Sequence, residues 1–282
     1  MKLLRYGVSG LEKPAAVDSN GNIRCLSDVV RDIDGASIQK TSIEKLKKLD
    51  LSKLPIVSDE VRIGPCVAGV GKFLCIGLNY SDHAKESGMA VPSEPVVFSK
   101  FVSAICGPDD DIVKPRGSTK LDWEVELGLI IGEQTSYVSE SEAMSSVAGF
   151  CVCNDISERE FQLERSGQWD LGKGCDTFGP IGPWLVTPDE IDDVMDLKMW
   201  LEVNGRRFQD GNSKTMIFSP AKIVSFLSQY MTLMPGDIIS TGTPPGVGFG
   251  QNPQIYLNVG DSMTLGIQGL GLQTQRVVAD NQ

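Results

Sequence analysis

Residues 122–132 constrain the fold most strongly, because this segment begins with alternating acidic and apolar residues and then becomes wholly apolar. Side chains alternate between the two faces of a strand, so Asp122, Glu124 and Glu126 would share one face and the apolar residues the other. Three neighbouring acids repel one another, and a hard divalent cation would relieve that repulsion because it takes carboxylate oxygens as ligands. The segment alone is equally compatible with an acidic edge strand that faces water.

The length and composition indicate a globular fold rich in β-strands. The chain has 282 residues, which corresponds to one large domain or to one large and one small domain. Hydrophobic residues make up 41%, enough for a sizeable core, and 30 Gly with 15 Pro indicate many turns. We therefore expect a mixed α+β fold in which strands predominate.

The formal net charge of −11 argues against nucleic acid or an anionic membrane as a partner. A small anionic substrate remains compatible, since a site can be locally cationic in an acidic protein. The N-terminus is too short and polar for a signal peptide, and no apolar run approaches the roughly 18–20 residues of a membrane span. The seven cysteines form no CxxC pattern, which favours free thiols and a cytoplasmic location.

The single histidine, His83, excludes histidine-rich metal sites. A metal would be held mainly by oxygen, which favours Mg²⁺, Mn²⁺ or Ca²⁺. His83 follows a buried strand predicted over residues 73–78, and Glu86 lies three residues later on one face of a short helix. A carboxylate can orient an imidazole as a general base for water. The alternative is a surface histidine beside a glutamate.

Three further charged residues are candidates for the same site. Asp155 closes an apolar strand and is either a helix cap or a ligand; Ser157 could cap a helix over residues 158–165 and leave Asp155 free. Lys173 lies between two glycines in a segment, 168–183, that looks like a loop, where a lysine is either solvated or placed to stabilise an anion. Lys100 lies in a strand predicted over residues 95–101 and could face the site or solvent.

The chain divides into a small N-terminal α+β unit, residues 1–68, and a larger unit, residues 69–282. The first contains predicted strands at 2–6 and 13–17, a hairpin turn at Asn20–Gly21 and a helix over 42–49. Further helices are predicted over 139–148 and 221–230, with Ser139 and Ser219 as their caps.

Five segments, taken in order, resemble the fumarylacetoacetate hydrolase superfamily; they are residues 77–83, 123–128, 154–157, 172–180 and 241–248. The resemblance covers about residues 70–280. It implies a β-roll catalytic domain behind a small N-terminal domain, a metal of the Mg²⁺ type and a homodimer.

The resemblance also assigns roles by position. It implies that Glu124, Glu126 and Asp155 are the metal ligands and that His83 with Glu86 activates water. It further implies that Lys173 stabilises the leaving enolate and that Gln162 and Thr243 contact the substrate. The chain departs from the family at Leu78, where an arginine is often found.

The resemblance implies hydrolysis of a C–C bond in a 2,4-diketo acid, an acylpyruvate or sugar-acid derivative, with release of pyruvate and a carboxylic acid. Within the family, the chain is most similar to hydrolases of 2,4-diketo-3-deoxy sugar acids from rhamnonate or fuconate breakdown. Two alternatives use the same site: ureidoglycolate lyase, which cleaves a C–N bond, and oxaloacetate decarboxylase. A metal-binding scaffold without catalytic activity is the alternative that is not an enzyme.

Overall fold

The computed structural model describes residues 1–58, 60–82 and 91–280. The strands are β1 Lys2–Tyr6, β2 Lys13–Val17, β3 Ile23–Cys25, β4 Phe73–Gly77, β5 Val96–Lys100, β6 Ile105–Cys106, β7 Ile112–Lys114, β8 Leu121–Asp122, β9 Val125–Ile131, β10 Val147–Asn154, β11 Ser157–Glu158, β12 Gly179–Val186, β13 Lys198–Val203, β14 Arg206–Asn212, β15 Ile238–Ser240, β16 Ser262–Ile267 and β17 Gly271–Ala279. The α-helices that we label are α1 Lys40–Leu46, α2 Glu140–Ala143, α3 Arg159–Leu163, α4 Asp170–Lys173 and α5 Pro220–Ser228.

Two large sheets carry most of the fold. The first follows the order β3-β2-β1-β12-β10-β9-β15-β4-β5, with β6 also paired to β12, and the second follows the order β14-β13-β16-β17-β7. A short pair, β11-β8, lies beside them. Few helices accompany these sheets, which confirms the mixed α+β fold rich in β-strands.

Strand β9 lies in the interior of the first sheet, antiparallel to β10 on one side and to β15 on the other. Every residue from Val125 to Ile131 is buried. Leu127 and Leu129 pack into the largest hydrophobic cluster, whereas Ile130 packs into the cluster on the opposite face of the sheet. The interpretation of this segment as an acidic edge strand facing water is therefore wrong, since both faces and both edges are covered.

The N-terminal strands extend this same sheet. Strand β1 pairs antiparallel with β12, where Leu3 lies opposite Leu185, and β2 and β3 continue outward from β1. Strands β1 and β2 have the bounds that the sequence predicted. Helix α1 begins at Lys40, two residues earlier than expected, after an N-cap at Gln39 whose side chain makes no capping bond.

Helix α2 is much shorter than the predicted helix over residues 139–148. It ends at Ala143, a 3₁₀ turn follows over Met144–Ser146, and Val147 begins β10 opposite Ile131. The apolar end of the predicted helix therefore forms strand β10, which pairs with β9, instead of continuing the helix. Helix α5 confirms its predicted cap, because the Ser219 hydroxyl accepts a hydrogen bond from the Lys222 amide at 3.2 Å.

All seven cysteines are free thiols, as the absence of paired spacing predicted. Among the described residues, no helix combines the length and apolar character needed to cross a membrane.

Candidate active site

Three buried carboxylates meet where β9 begins and β10 ends. One oxygen from each of Glu124, Glu126 and Asp155 lies within 4.8 Å of the others. The β-ladder creates this proximity: Asn154 pairs with Val125, and the next amide, that of Asp155, donates to the carbonyl of Glu124 at 2.9 Å. As whole residues, Glu124, Glu126 and Asp155 are 6%, 2% and 1% exposed.

Asp122 does not join this cluster, contrary to the prediction from alternation. Strand β8 ends at Asp122 and β9 begins only at Val125, so the two residues do not lie on one continuous strand. The Asp122 carboxylate accepts hydrogen bonds from the amides of Gly248 and Phe249, at 2.6 and 3.0 Å. It also accepts from Arg159 Nε at 2.8 Å. Asp122 therefore anchors a neighbouring loop and Arg159.

Lys173 is the central cation of the site. Its Nζ donates to Glu124 Oε2 at 2.5 Å and to Asp155 Oδ2 at 2.8 Å. Lys173 is buried at the end of helix α4, so the predicted loop is wrong at this position, and of the two alternatives left open for Lys173 the solvated one is excluded. Burial disfavours its charge, but Asp155 and Glu124 outweigh this effect and raise the pKa of Lys173.

Arg159 is a site residue that the sequence reasoning missed. Its guanidinium donates to Glu124 Oε1 at 2.6 Å and to Gln162 Oε1 at 3.0 Å, in addition to Asp122. Although burial opposes ionisation of Glu124, Arg159 and Lys173 lower the pKa of that carboxyl. The i, i+3 spacing of Arg159 and Gln162 at the start of a helix was a usable signal.

The cap of helix α3 differs from the prediction. Glu158, rather than Ser157, accepts from the amide of Phe161 at 2.8 Å. Ser157 instead donates its hydroxyl proton to the Asp155 carbonyl at 2.9 Å. The carboxylate of Asp155 is thus left for the site, as expected, but by a different cap.

Lys100, whose direction the sequence left open, points into the site. Its Nζ donates to Asp155 Oδ1 at 2.5 Å and to the carbonyl of Ile156 at 2.9 Å. Both side chains of this ion pair are 0% exposed. Together with Lys173, it places a cation on each oxygen of Asp155.

Glu126 has a different environment from the other two carboxylates. Ser240 Oγ and the Gly242 amide donate to its Oε2 at 2.6 and 2.8 Å, so neither bond uses Oε1. Within residues 1–58, 60–82 and 91–280, no lysine or arginine forms an ion pair with Glu126. Burial and the charges of Asp155 and Glu124 hold the pKa of Glu126 well above its usual range.

These donors fit a hard divalent cation. The three acids offer only oxygen, the ligand that Mg²⁺ and Mn²⁺ accept. Among the described residues Glu126 has no ion-pair partner of its own, so a cation bound by the triad would supply the positive charge that this carboxylate lacks. A carboxylate oxygen has two lone pairs, so the oxygens already bonded to Lys173 or Arg159 can still act as ligands.

A cleft of about 650 Å³ lies over the carboxylates. Its polar lining comprises Glu124, Glu126, Arg159, Gln162, Lys173 and Thr243. Thr243 Oγ1 donates to the Val125 carbonyl and accepts from Gln209 Nε2, at 2.9 and 2.8 Å. The structure therefore brings Gln162, Lys173 and Thr243 to one cavity with two of the three acids.

The predicted water-activating pair, His83 and Glu86, lies outside the described residues. The chain that leads to it is fixed beside the site by Asn79. The Asn79 amide donates to the carbonyls of Thr241 and Phe218 at 2.7 and 3.0 Å, and its Oδ1 accepts from the Phe218 amide at 2.7 Å. Leu78, immediately before Asn79, lines the cleft.

Comparison with known proteins identifies the family. The profile described as fumarylacetoacetate (FAA) hydrolase C-terminal matches residues 72–278, most of the chain. The chain belongs to the fumarylacetoacetate hydrolase family. A Burkholderia orbicola protein named only as a hydrolase is 58% identical over 277 residues, which cover 98% of both chains.

Solved structures agree with this family assignment. The fumarylacetoacetate hydrolase of Exiguobacterium antarcticum superimposes with a TM-score of 0.89 at 33% identity, over 99% of this chain and 100% of that one. Maleylpyruvate hydrolase of Sphingobium sp. SYK-6, solved with manganese(II) and pyruvate, gives 0.83 at 26% identity over the full length of both chains. Family membership makes this protein a hydrolase and disfavours a scaffold without catalytic activity.

Proposed function

We propose that this fumarylacetoacetate hydrolase family member uses a divalent metal to hydrolyse a C–C bond of a 2,4-diketo acid, releasing pyruvate and a carboxylic acid. The observation that carries the proposal is the buried triad of Glu124, Glu126 and Asp155 with Lys173 bonded to two of its members. The manganese and pyruvate bound to the maleylpyruvate hydrolase of Sphingobium support it.

The triad would hold Mg²⁺ or Mn²⁺, which would supply Lewis-acid stabilisation of negative charge on the keto-acid oxygens. Lys173 adds a permanent positive charge beside the same oxygens, in a site with little water to screen it. Arg159 fixes the Glu124 carboxylate from the other side through its bond to Oε1. Arg159 also fixes the side chain of Gln162, which we propose as a substrate contact with Thr243.

We assign proton transfer to His83, oriented by Glu86. His83 would remove a proton from a water molecule, whose oxygen then bonds to the C4 carbonyl carbon. The bond between C3 and C4 breaks, its electron pair passes to the enolate of pyruvate, and C4 leaves as a carboxylic acid. A proton added at C3 completes pyruvate. Lys173 would stabilise the negative charge of the enolate.

The decisive experiment measures pyruvate release from acetylpyruvate, coupled to lactate dehydrogenase, with Mn²⁺ or with EDTA. We expect pyruvate to appear with Mn²⁺ and to fall to background with EDTA. Production of glyoxylate and urea from ureidoglycolate, without pyruvate from acetylpyruvate, would instead assign the lyase reaction. Pyruvate and carbon dioxide from oxaloacetate alone would assign the decarboxylase reaction.

Two variants separate metal binding from proton transfer. Glu126→Gln should reduce the rise in melting temperature that Mn²⁺ causes, because a neutral amide oxygen binds a hard cation more weakly than a carboxylate does. His83→Ala should keep that rise but lose at least 100-fold in kcat, the usual lower range for a general base. Undiminished turnover by His83→Ala would remove His83 from this role.

We also propose a homodimer, on the basis of the family resemblance and of exposed apolar side chains. Phe101 and Val102 are 47% and 49% exposed, and Leu171 is 53% exposed. Light scattering after size exclusion should give about twice the chain mass of 30.5 kDa. A mass equal to one chain would contradict the proposal.

A further inference from the structure

The wall of the cleft above the carboxylates is apolar. Apart from Ile76, its apolar side chains come from five separate segments of the chain and are Leu78, Phe98, Leu163, Trp169, Val247 and Phe249. We define these six residues as the apolar wall. Gly77 and Gly250, which also line the cleft, add no polar side chain.

The aromatic residues of the apolar wall begin directly beside the site's cations. The Phe98 ring centroid lies 5.0 Å from Lys173 Nζ, and the Trp169 ring packs edge-on against Phe98 with a centroid separation of 5.3 Å. On the other side, the Phe249 ring centroid lies 5.9 Å from the guanidinium carbon of Arg159. A ligand whose oxygens reach the carboxylates therefore meets aromatic surface at once.

The cationic groups of the cleft already have partners. Arg159 donates to Asp122, Glu124 and Gln162, while Lys173 donates to Glu124 and Asp155. Among the described lining residues no other lysine or arginine occurs. Packed against these described lining residues, a carboxylate at the far end of the ligand would thus lose its water without gaining a cation, which is strongly unfavourable.

The position of Trp169 depends on a glycine. A Cβ on Gly77 would come within 2.8 Å of Trp169 Cζ3 and 3.6 Å of a Val96 methyl. The lack of a side chain at the end of β4 thus lets the indole lie against the strand. Glycine at position 77 thus leaves space for Trp169, the largest side chain of the apolar wall.

We infer that the acyl group of the substrate, beyond C4, is an unsubstituted alkyl or aryl group. It is neither a polyol nor a chain ending in a carboxylate. This inference rests on the proposed function for the identity of the reacting end, but not for the chemistry of the wall. Burial of each additional methylene against such a surface should strengthen binding about fourfold.

The test uses two ligands of the same shape. In 5-methyl-2-oxohexanoate the tail ends in an isopropyl group, and in 2-oxoglutarate a carboxylate replaces that group. Isothermal titration of the Mn²⁺-loaded protein should give a dissociation constant at least tenfold lower for 5-methyl-2-oxohexanoate. Equal or tighter binding of 2-oxoglutarate, or no binding of either ligand, would overturn the inference.

A second test compares the hydrolysis of substrates that carry apolar and polar tails. We expect kcat/KM for 4-methylpentanoylpyruvate to exceed that for succinylpyruvate and for a 2,4-diketo-3-deoxy sugar acid at least tenfold. A preference for either polar substrate overturns the inference. If neither acylpyruvate releases pyruvate while 5-methyl-2-oxohexanoate still binds more tightly, the proposed function fails and the inference about the wall stands.

Leu78 is the position at which the preference can be changed. Leu78→Arg places a cation in the apolar wall and should reduce the preference for 5-methyl-2-oxohexanoate at least tenfold. Val259→Arg, at an exposed position that does not line the cleft, is the matched control and should leave the ratio within twofold of wild type. An unchanged ratio in a folded Leu78→Arg protein would show that the ligand tail does not reach this wall. The comparison of the two ligands in the wild-type protein tests the inference even if Leu78→Arg does not fold.

Discussion

Replacing Lys100 with methionine tests the charge balance of the site. The change removes a buried ion pair with Asp155 and the hydrogen bond to the Ile156 carbonyl, while the length of the side chain is kept. Loss of one partner of a buried pair costs about 3–5 kcal/mol because the remaining charge is uncompensated. Lys173 still bonds the other oxygen of Asp155, so we expect the lower end, about 3 kcal/mol.

For a chain of 282 residues the unfolding entropy is about 0.6 kcal/mol/K, so such a loss lowers the melting temperature by about 5 °C. The assay is urea and thermal unfolding in EDTA, so that metal binding does not contribute. Lys53→Met is the matched control, because its pair with Asp50 is exposed, at 81% and 53%, and the midpoint should not change measurably. The double variant with Asp155→Asn should lose less than the two single losses combined, since the two groups interact.

If Lys100→Met unfolds at the same urea concentration and temperature as Lys53→Met, the ion pair does not stabilise the fold and the reasoning is refuted. If the double variant shows strictly additive losses, Lys100 and Asp155 are not coupled.

Three further predictions follow from single contacts. Arg159→Lys keeps the positive charge, but a lysine cannot reach all three acceptors of Arg159, so kcat/KM should fall at least tenfold. Arg165→Lys, on the surface of the same region, is the control, and its kcat/KM should stay within twofold of wild type. Gly77→Ala should displace Trp169, shift its fluorescence emission and weaken 5-methyl-2-oxohexanoate binding; an unchanged spectrum and affinity would contradict the contact. Burial opposes charge on Asp18, yet hydrogen bonds from Arg24 and Asn22 lower the pKa of Asp18 to about 2. The stabilisation that Asp18 contributes is therefore complete above its unfolded pKa of about 4 and is lost as the pH falls through its folded pKa. The difference in urea midpoint between wild type and Asp18→Asn should accordingly become smaller at acidic pH. A difference that stays constant with pH would contradict this prediction.

The sequence pattern predicted the structure correctly where it depends on nearby residues or on the alternation of side chains along one strand. Strands β1 and β2 have the predicted bounds, and Glu124 and Glu126 lie two residues apart with Asp155 beside them. The five ordered motifs also predicted the family, which the comparisons confirm.

The remaining features depend on partners far away in the sequence. Asp122 was assigned to the wrong group because its acceptors are satisfied by loop amides 126 and 127 residues later. The predicted helix over residues 139–148 ends early because Val147 pairs with Ile131. The burial of Lys173 follows from carboxylates 49 and 18 residues away, which no local pattern of glycines reveals.

The central position of β9 has a consequence for motion in this enzyme. Val125–Ile131 is hydrogen-bonded to β10 and, through its second half, to β15, so Glu126 cannot move without breaking the ladder. Amide hydrogens of such strands exchange with solvent only in rare, large-scale opening events. The Glu126 backbone must therefore stay in place during catalytic turnover. Among the described elements that line the site, the short helices α3 and α4 can rearrange more easily, and they should exchange their amide hydrogens orders of magnitude faster than β9.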